Sequence, residues 1–88
     1  MDTPVTRSTS AATAEIDGQL VALDVNKGVC YGLNDVGTRI WTLIESPASA
    51  RAISDILLEE YDVDRAMAEE QTLELLCELL AAELAVAA

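Results

Sequence analysis

The chain has no histidine and no phenylalanine, and its aromatic content is one tryptophan and two tyrosines. Without imidazole no side chain has an ordinary pKa suited to general base work near neutral pH, and a Cys–His nucleophilic pair is impossible. The two cysteines, Cys30 and Cys77, lie far apart with no Cys-x-x-Cys spacing, so a zinc site would lack ligands. In a cytosolic chain such thiols are read as two small buried hydrophobes. Phosphate-cradling glycine loops, dinucleotide fingerprints and Gly-x-Ser-x-Gly elbows are absent too. No apolar run reaches the ~18 residues that suggest a membrane span. Met1 to Ala14 lacks the basic start and apolar core of a secretory signal, so a cytoplasmic location is expected.

Positive charge is also scarce. Five Lys and Arg stand against 16 Asp and Glu, a net charge of −11. The imbalance is steepest in residues 45–83, where only Arg51 and Arg65 are basic. Such a field disfavours nucleic acid and anionic membrane as partners and favours a basic one.

What remains is ample aliphatic material. Just over half of the 88 residues are hydrophobic, enough for one small core. A single domain over residues 1–88 is expected, with residues 1–4 disordered. Val5 to Thr9 reads as a first strand, and Glu15 to Gln19 as a turn. Leu20 to Val25 and Val29 to Leu33 then form a hairpin around Asn26-Lys27-Gly28, with Gly28 suited to positive φ.

Three helices follow. The first runs from about Asp35 to Glu45, capped by Asn34 or Asp35, and is stopped by Ser46-Pro47. Its inner stripe carries Trp41, read as the largest core residue, and Gly37, read as allowing close packing against the sheet. The second spans about Ala48 to Tyr61. The third, capped by Asp64, spans Arg65 to about Leu84. The expected fold class is α+β: a winged-helix-like arrangement of a three-stranded antiparallel sheet followed by three helices.

The third helix has an unusual pattern. Leu73, Cys77, Leu80 and Leu84 share one arc, with Leu76 beside it, while Leu75, Leu79, Ala82 and Val86 form another. Glu70, Glu74 and Glu78 line up at i, i+4 spacing with no base between them, and each such pair costs about 0.2–0.5 kcal/mol in an isolated helix. One apolar arc can face the core; the other is available to a ligand or to a second copy of the chain. Carboxylates are plentiful, yet no second element sets one pKa apart from another, so the chain reads as a binding module rather than an enzyme. An acyl carrier protein would need an Asp-Ser-Leu attachment site, and none is present.

The ordered set Leu23-Asp24, Gly28, Tyr31, Leu33-Asn34, Gly37, Ile40-Trp41 and Leu43-Ile44 resembles the PqqD family of peptide-recognition proteins. Glu60 to Asp64 resembles that family's link between its second and third helices, and Leu73 to Leu80 its last helix. The resemblance covers about residues 15–86. The chain departs from it at Glu83-Leu84, where the family commonly has a Gly-Leu turn, so the helix is expected either to continue or to turn on a less suited residue.

The resemblance implies a protein without cofactor that binds the leader of a ribosomally made precursor peptide. The leader adds as a further strand beside the third strand and packs on the third helix. The implied site is Val29, Cys30, Tyr31, Gly32 and Leu33 on the strand, with Glu70, Leu73, Glu74, Cys77 and Leu80 on the helix. Leu73, Cys77 and Leu80 would floor an apolar groove, and the Glu70/Glu74 edge would attract basic leader residues. The implied partners are the leader peptide, a cysteine-protease-like leader peptidase and an ATP-dependent cyclase, as in lasso-peptide biosynthesis. The alternatives are service to a radical S-adenosylmethionine enzyme or a non-catalytic winged-helix dimerisation module.

Overall fold

The computed structural model describes residues 2–88. The elements are β1 (Val5–Arg7), β2 (Ala11–Ile16), β3 (Gln19–Asp24), β4 (Val29–Gly32), α1 (Asp35–Leu43), α2 (Ala50–Glu60), α3 (Arg65–Ala81) and β5 (Ala85–Ala87). β2, β3 and β4 form an antiparallel sheet in sequential order, and β1 pairs antiparallel with β5 in a separate two-stranded sheet. The expected α+β arrangement of three antiparallel strands followed by three helices is therefore present, but its first strand is not the expected one.

Val5 to Arg7 leaves that sheet because it has other partners. Its backbone pairs with β5 on one side, and Val5 bridges Ala48 with hydrogen bonds of 2.9 and 3.0 Å. The strand beside β3 is Ala11–Ile16, set by a two-residue turn. Ile16 stands opposite Gln19, with Asp17 (φ 53°) and Gly18 (φ 81°) between them. Two positive φ angles define the type I′ turn, whose twist suits a hairpin and whose preferred sequences include Asp-Gly. The β3–β4 turn agrees with expectation. Gly28 has φ 70°, and the Asp24 carboxylate accepts from the Asn26 and Lys27 amides at 3.0 and 3.2 Å.

Each helix begins on a side-chain cap. Asn34 accepts from the Gly37 amide at 2.7 Å, Ser49 from Ala52 at 3.1 Å and Asp64 from Met67 at 2.7 Å. α2 starts two residues later than expected because Ala48 is engaged with Val5. α3 ends at Ala81, and the chain turns on Glu83, whose φ is +61°. The Leu84 amide reaches the Leu79 carbonyl at 2.9 Å, and the Glu83 amide reaches Leu80 at 3.0 Å. That pair of bonds is the Schellman motif, accompanied here by full burial of both Leu79 and Leu84. So the turn forms without glycine, and it redirects the chain into β5.

The core is aliphatic around Trp41, which is 1% exposed, with Ile40, Ile44, Ile53, Leu57, Leu79 and Leu84 packed about it. The Trp41 indole N–H donates to Thr13 at 2.7 Å, and the Arg7 guanidinium lies 4.6 Å from its ring centroid. This residue thus ties α1 to β1 and β2. Cys30 and Cys77, expected as buried thiols, are free and exposed. The helices cover one face of β4 only, and Cys30 is on the other; Cys77 lies on the solvent side of α3. Of residues 1–4, expected to be disordered, Met1 lies outside the described residues. The Asp2 carboxylate meets Arg51 at 2.7 Å, and the Pro4 carbonyl accepts from Ala88 at 2.9 Å.

Candidate functional site

β4 is an edge strand: among the described residues it pairs with β3 on one side and with no strand on the other. Its alternation settles which groups are free. The Leu33 amide donates to the Leu20 carbonyl at 2.9 Å. In an antiparallel ladder the bonded and non-bonded pairs then alternate, so Leu33, Tyr31 and Val29 turn their backbone groups toward β3. Cys30 and Gly32 turn theirs outward. Side chains alternate in step. Val29 and Tyr31 are half-buried on the inner face with Leu33 in the core, while Cys30 and Gly32 are exposed.

Beside this edge a groove of about 300 Å³ opens between the end of β4, the first turns of α1 and the middle of α3. Its floor is the buried Leu33, Gly37, Ile40 and Leu75 with the half-buried Val36; its rim is Tyr31, Asn34, Gln71, Glu74 and Glu78. Gly37 keeps the floor deep. A Cβ there would lie 3.1 Å from the Asn34 cap oxygen and 3.5 Å from a Leu75 methyl. The close packing expected of Gly37 is thus made chiefly with α3, Leu33 and its own cap. Gly32 meets the Gln19 side chain, whose amide would be 3.2 Å from an added Cβ.

The rim is acidic and unneutralised. The Tyr31 phenol donates to the Glu78 carboxylate. That acceptor raises the Tyr31 pKa above 10.0, with help from burial and from the Glu78 and Glu74 charges, so the phenol stays protonated. Every Lys and Arg side chain is occupied elsewhere. Lys27 pairs with Glu83, Arg39 with Glu60, Arg51 with Asp2 and Arg65 with Asp55, while Arg7 donates to the Trp41 carbonyl at 3.0 Å.

Of the residues singled out in the sequence, Tyr31, Gly32, Leu33 and Glu74 come together around the groove, with Val29 and Cys30 continuing the edge. Leu73, Cys77, Leu80 and Glu70 do not line it. α3 docks through Ala68, Thr72, Leu75, Leu76 and Leu79, and at 100° per residue this turns Leu73 and Leu80 to solvent at 39% and 38% exposure. The first arc is therefore split, with Leu76 and Leu84 buried while Leu73, Cys77 and Leu80 stay outside, and of the second arc Leu75 and Leu79 enter the core. The helix residues that line the groove are Gln71, Glu74, Leu75 and Glu78. Their i, i+3, i+4, i+7 spacing is a helical stripe visible in the sequence, masked by the richer leucine arc beside it.

A second, shallower concavity of about 820 Å³ lies between the β2–β3 turn, α1 and Tyr61. Its one cation, Arg39, is held by Glu60 through two bonds of 2.7 Å. Among the described residues no group of acidic and cysteine side chains could hold a metal ion, and no helix is long and apolar enough to cross a membrane.

No curated protein sequence matches the chain. Among solved structures, TbiB1 in complex with the TbiA(beta) leader peptide is 35% identical with a TM-score of 0.78, over 91% of this chain and 93% of that one. A lasso peptide synthetase B1 complexed with the leader peptide is 26% identical with a TM-score of 0.79, over 93% and 96% of the two chains. The family model for coenzyme PQQ synthesis protein D matches residues 19–85, from the start of β3 to the start of β5. With most of its length matched by that model, the chain belongs to the PqqD family.

Proposed function

We propose that this protein is a non-catalytic recognition element that binds the leader of a ribosomally made precursor peptide as an added strand beside β4. It then delivers the peptide to a leader peptidase and an ATP-dependent cyclase of lasso-peptide assembly. The observation that carries this reading is the unpaired Cys30 and Gly32 backbone next to the groove. The two similar structures, both leader-peptide complexes of B1-type proteins, support the same role.

The energetics suit recognition in two parts. Two outward-facing residues offer up to four backbone hydrogen bonds, each contributing a net ~1 kcal/mol. About 4 kcal/mol falls well short of the ~8 kcal/mol of micromolar binding, before any ordering cost. Backbone pairing therefore sets direction and register, and side chains seated in the groove supply the rest.

Fluorescence anisotropy with a labelled leader from the precursor encoded beside this gene tests the proposal. Saturable binding tighter than about 100 µM, ~−5.5 kcal/mol, is expected. Amide exchange locates it: the Cys30 and Gly32 N–H groups gain protection on binding, while Tyr31, already paired with β3, changes little. Absence of binding in that range, or protection elsewhere, would refute strand addition here.

A further inference from the structure

We infer that the groove beside β4 receives one lysine or arginine side chain of the bound peptide, its stem on Ile40 and Leu75 and its cation between Glu74 and Glu78. This rests on the strand-addition reading above and names the residue chemistry that reading leaves open.

The groove has two chemical zones. Its floor is buried and aliphatic, and two of its rim groups, Glu74 and Glu78, are carboxylates one helical turn apart. A strand added to β4 alternates its side chains, so its inward-facing residue next to Tyr31 enters this space. An acidic side chain there would be repelled. A purely apolar one would satisfy the floor but strip water from two carboxylates without replacing it. Lys and Arg match both zones, with methylenes on the floor and a cationic head at the rim.

Two further observations sharpen the assignment. All five Lys and Arg side chains are engaged away from the groove, so among the described residues no side-chain cation competes for Glu74. The Tyr31 phenol fixes the Glu78 carboxylate by one bond, and its remaining acceptor capacity is left for a donor from outside. A carboxylate already held in place loses less freedom on binding than a mobile one.

The test is selection of phage-displayed random decapeptides on the full chain, followed by measurement on synthetic peptides. The expected result is enrichment of Lys or Arg at one position among the binders. Replacing that residue by norleucine, which keeps the stem and removes the charge, should weaken binding about tenfold. Against a Glu74→Gln/Glu78→Gln variant, native-like by Trp41 fluorescence, the two peptides should bind alike, as a double-mutant cycle requires. Binders lacking a basic residue, or equal affinity for the lysine and norleucine peptides on the native chain, would overturn this inference while leaving strand addition standing. Recovery of no binders would overturn both.

Discussion

Two buried hydroxyls illustrate how finely single residues are resolved in this core. Ser54 and Thr72 are both fully buried on helices. Ser54 donates back to the Ala50 carbonyl at 2.8 Å and is satisfied. The Thr72 oxygen finds no partner, the one such buried side-chain oxygen or nitrogen among the described residues. A buried hydroxyl without a hydrogen bond costs on the order of 1–3 kcal/mol. Thr72→Val keeps the shape and removes the unsatisfied group, so it should raise the unfolding free energy by about 1 kcal/mol. Urea titration followed through the single tryptophan, itself buried, reads this directly. An unchanged or lower midpoint would mean that the hydroxyl is satisfied in solution.

At the scale of elements, α3 and its terminus carry the most information. The helix ends on Glu83 in the left-handed region, where a side chain costs roughly 1 kcal/mol and glycine costs nothing comparable. Glu83→Gly also removes the Lys27 contact, but both partners are largely exposed and such pairs contribute little. The variant should therefore be more stable by about 0.5–1 kcal/mol, after allowing for glycine's extra unfolded-state freedom. A lower urea midpoint would show instead that the Lys27–Glu83 tie to the β3–β4 turn outweighs the backbone strain. Local chemistry made much of this fold legible. Asn34 and Asp64 announce their helices, Pro47 follows the end of the first, and Gly28 marks the turn into β4. β2 was not legible, because Ala11 to Ile16 is exposed at four of its six positions and shows no apolar alternation. The Asp17-Gly18 pair was the signal that could have found it. β5 is decided by pairing with β1 almost the whole chain away, which no local pattern reports. The groove was half legible for a related reason. The strand edge follows from the hairpin, but with two apolar arcs on α3 only the packed structure decides that Leu75 goes inward and Leu73 outward.

For the molecule as a whole, electrostatics is one-sided. Sixteen acids face five Lys and Arg residues, all of them engaged, so among the described residues most carboxylates have no cationic partner. Three carboxyl groups are held below their ordinary pKa: Asp24 chiefly by the Ser10 hydroxyl at 2.7 Å and then by the Lys27 and Asn26 amides, Asp2 by Arg51, and Glu60 by Arg39. A carboxyl whose folded pKa is depressed stabilises the fold above its unfolded pKa, and that contribution is lost as pH falls through the folded value. The window here lies below the ordinary values of 3.8 for Asp and 4.5 for Glu. Asp2 and Glu60 make surface ion pairs that contribute little, whereas Asp24 is 1% exposed and organises the turn that leads into β4. Urea midpoints measured from about pH 6 down to about pH 3 should therefore fall steeply for the native chain near the acid end. Asp24→Asn, which cannot titrate, should start lower at neutral pH and fall less. Parallel curves for the two proteins would assign the acid loss to carboxylates other than the one beneath the β3–β4 turn. The same variant bears on the site, because a looser turn leaves the Cys30 and Gly32 edge less well placed. Leader affinity of Asp24→Asn at neutral pH should thus drop by several-fold without any change to a residue that touches the peptide.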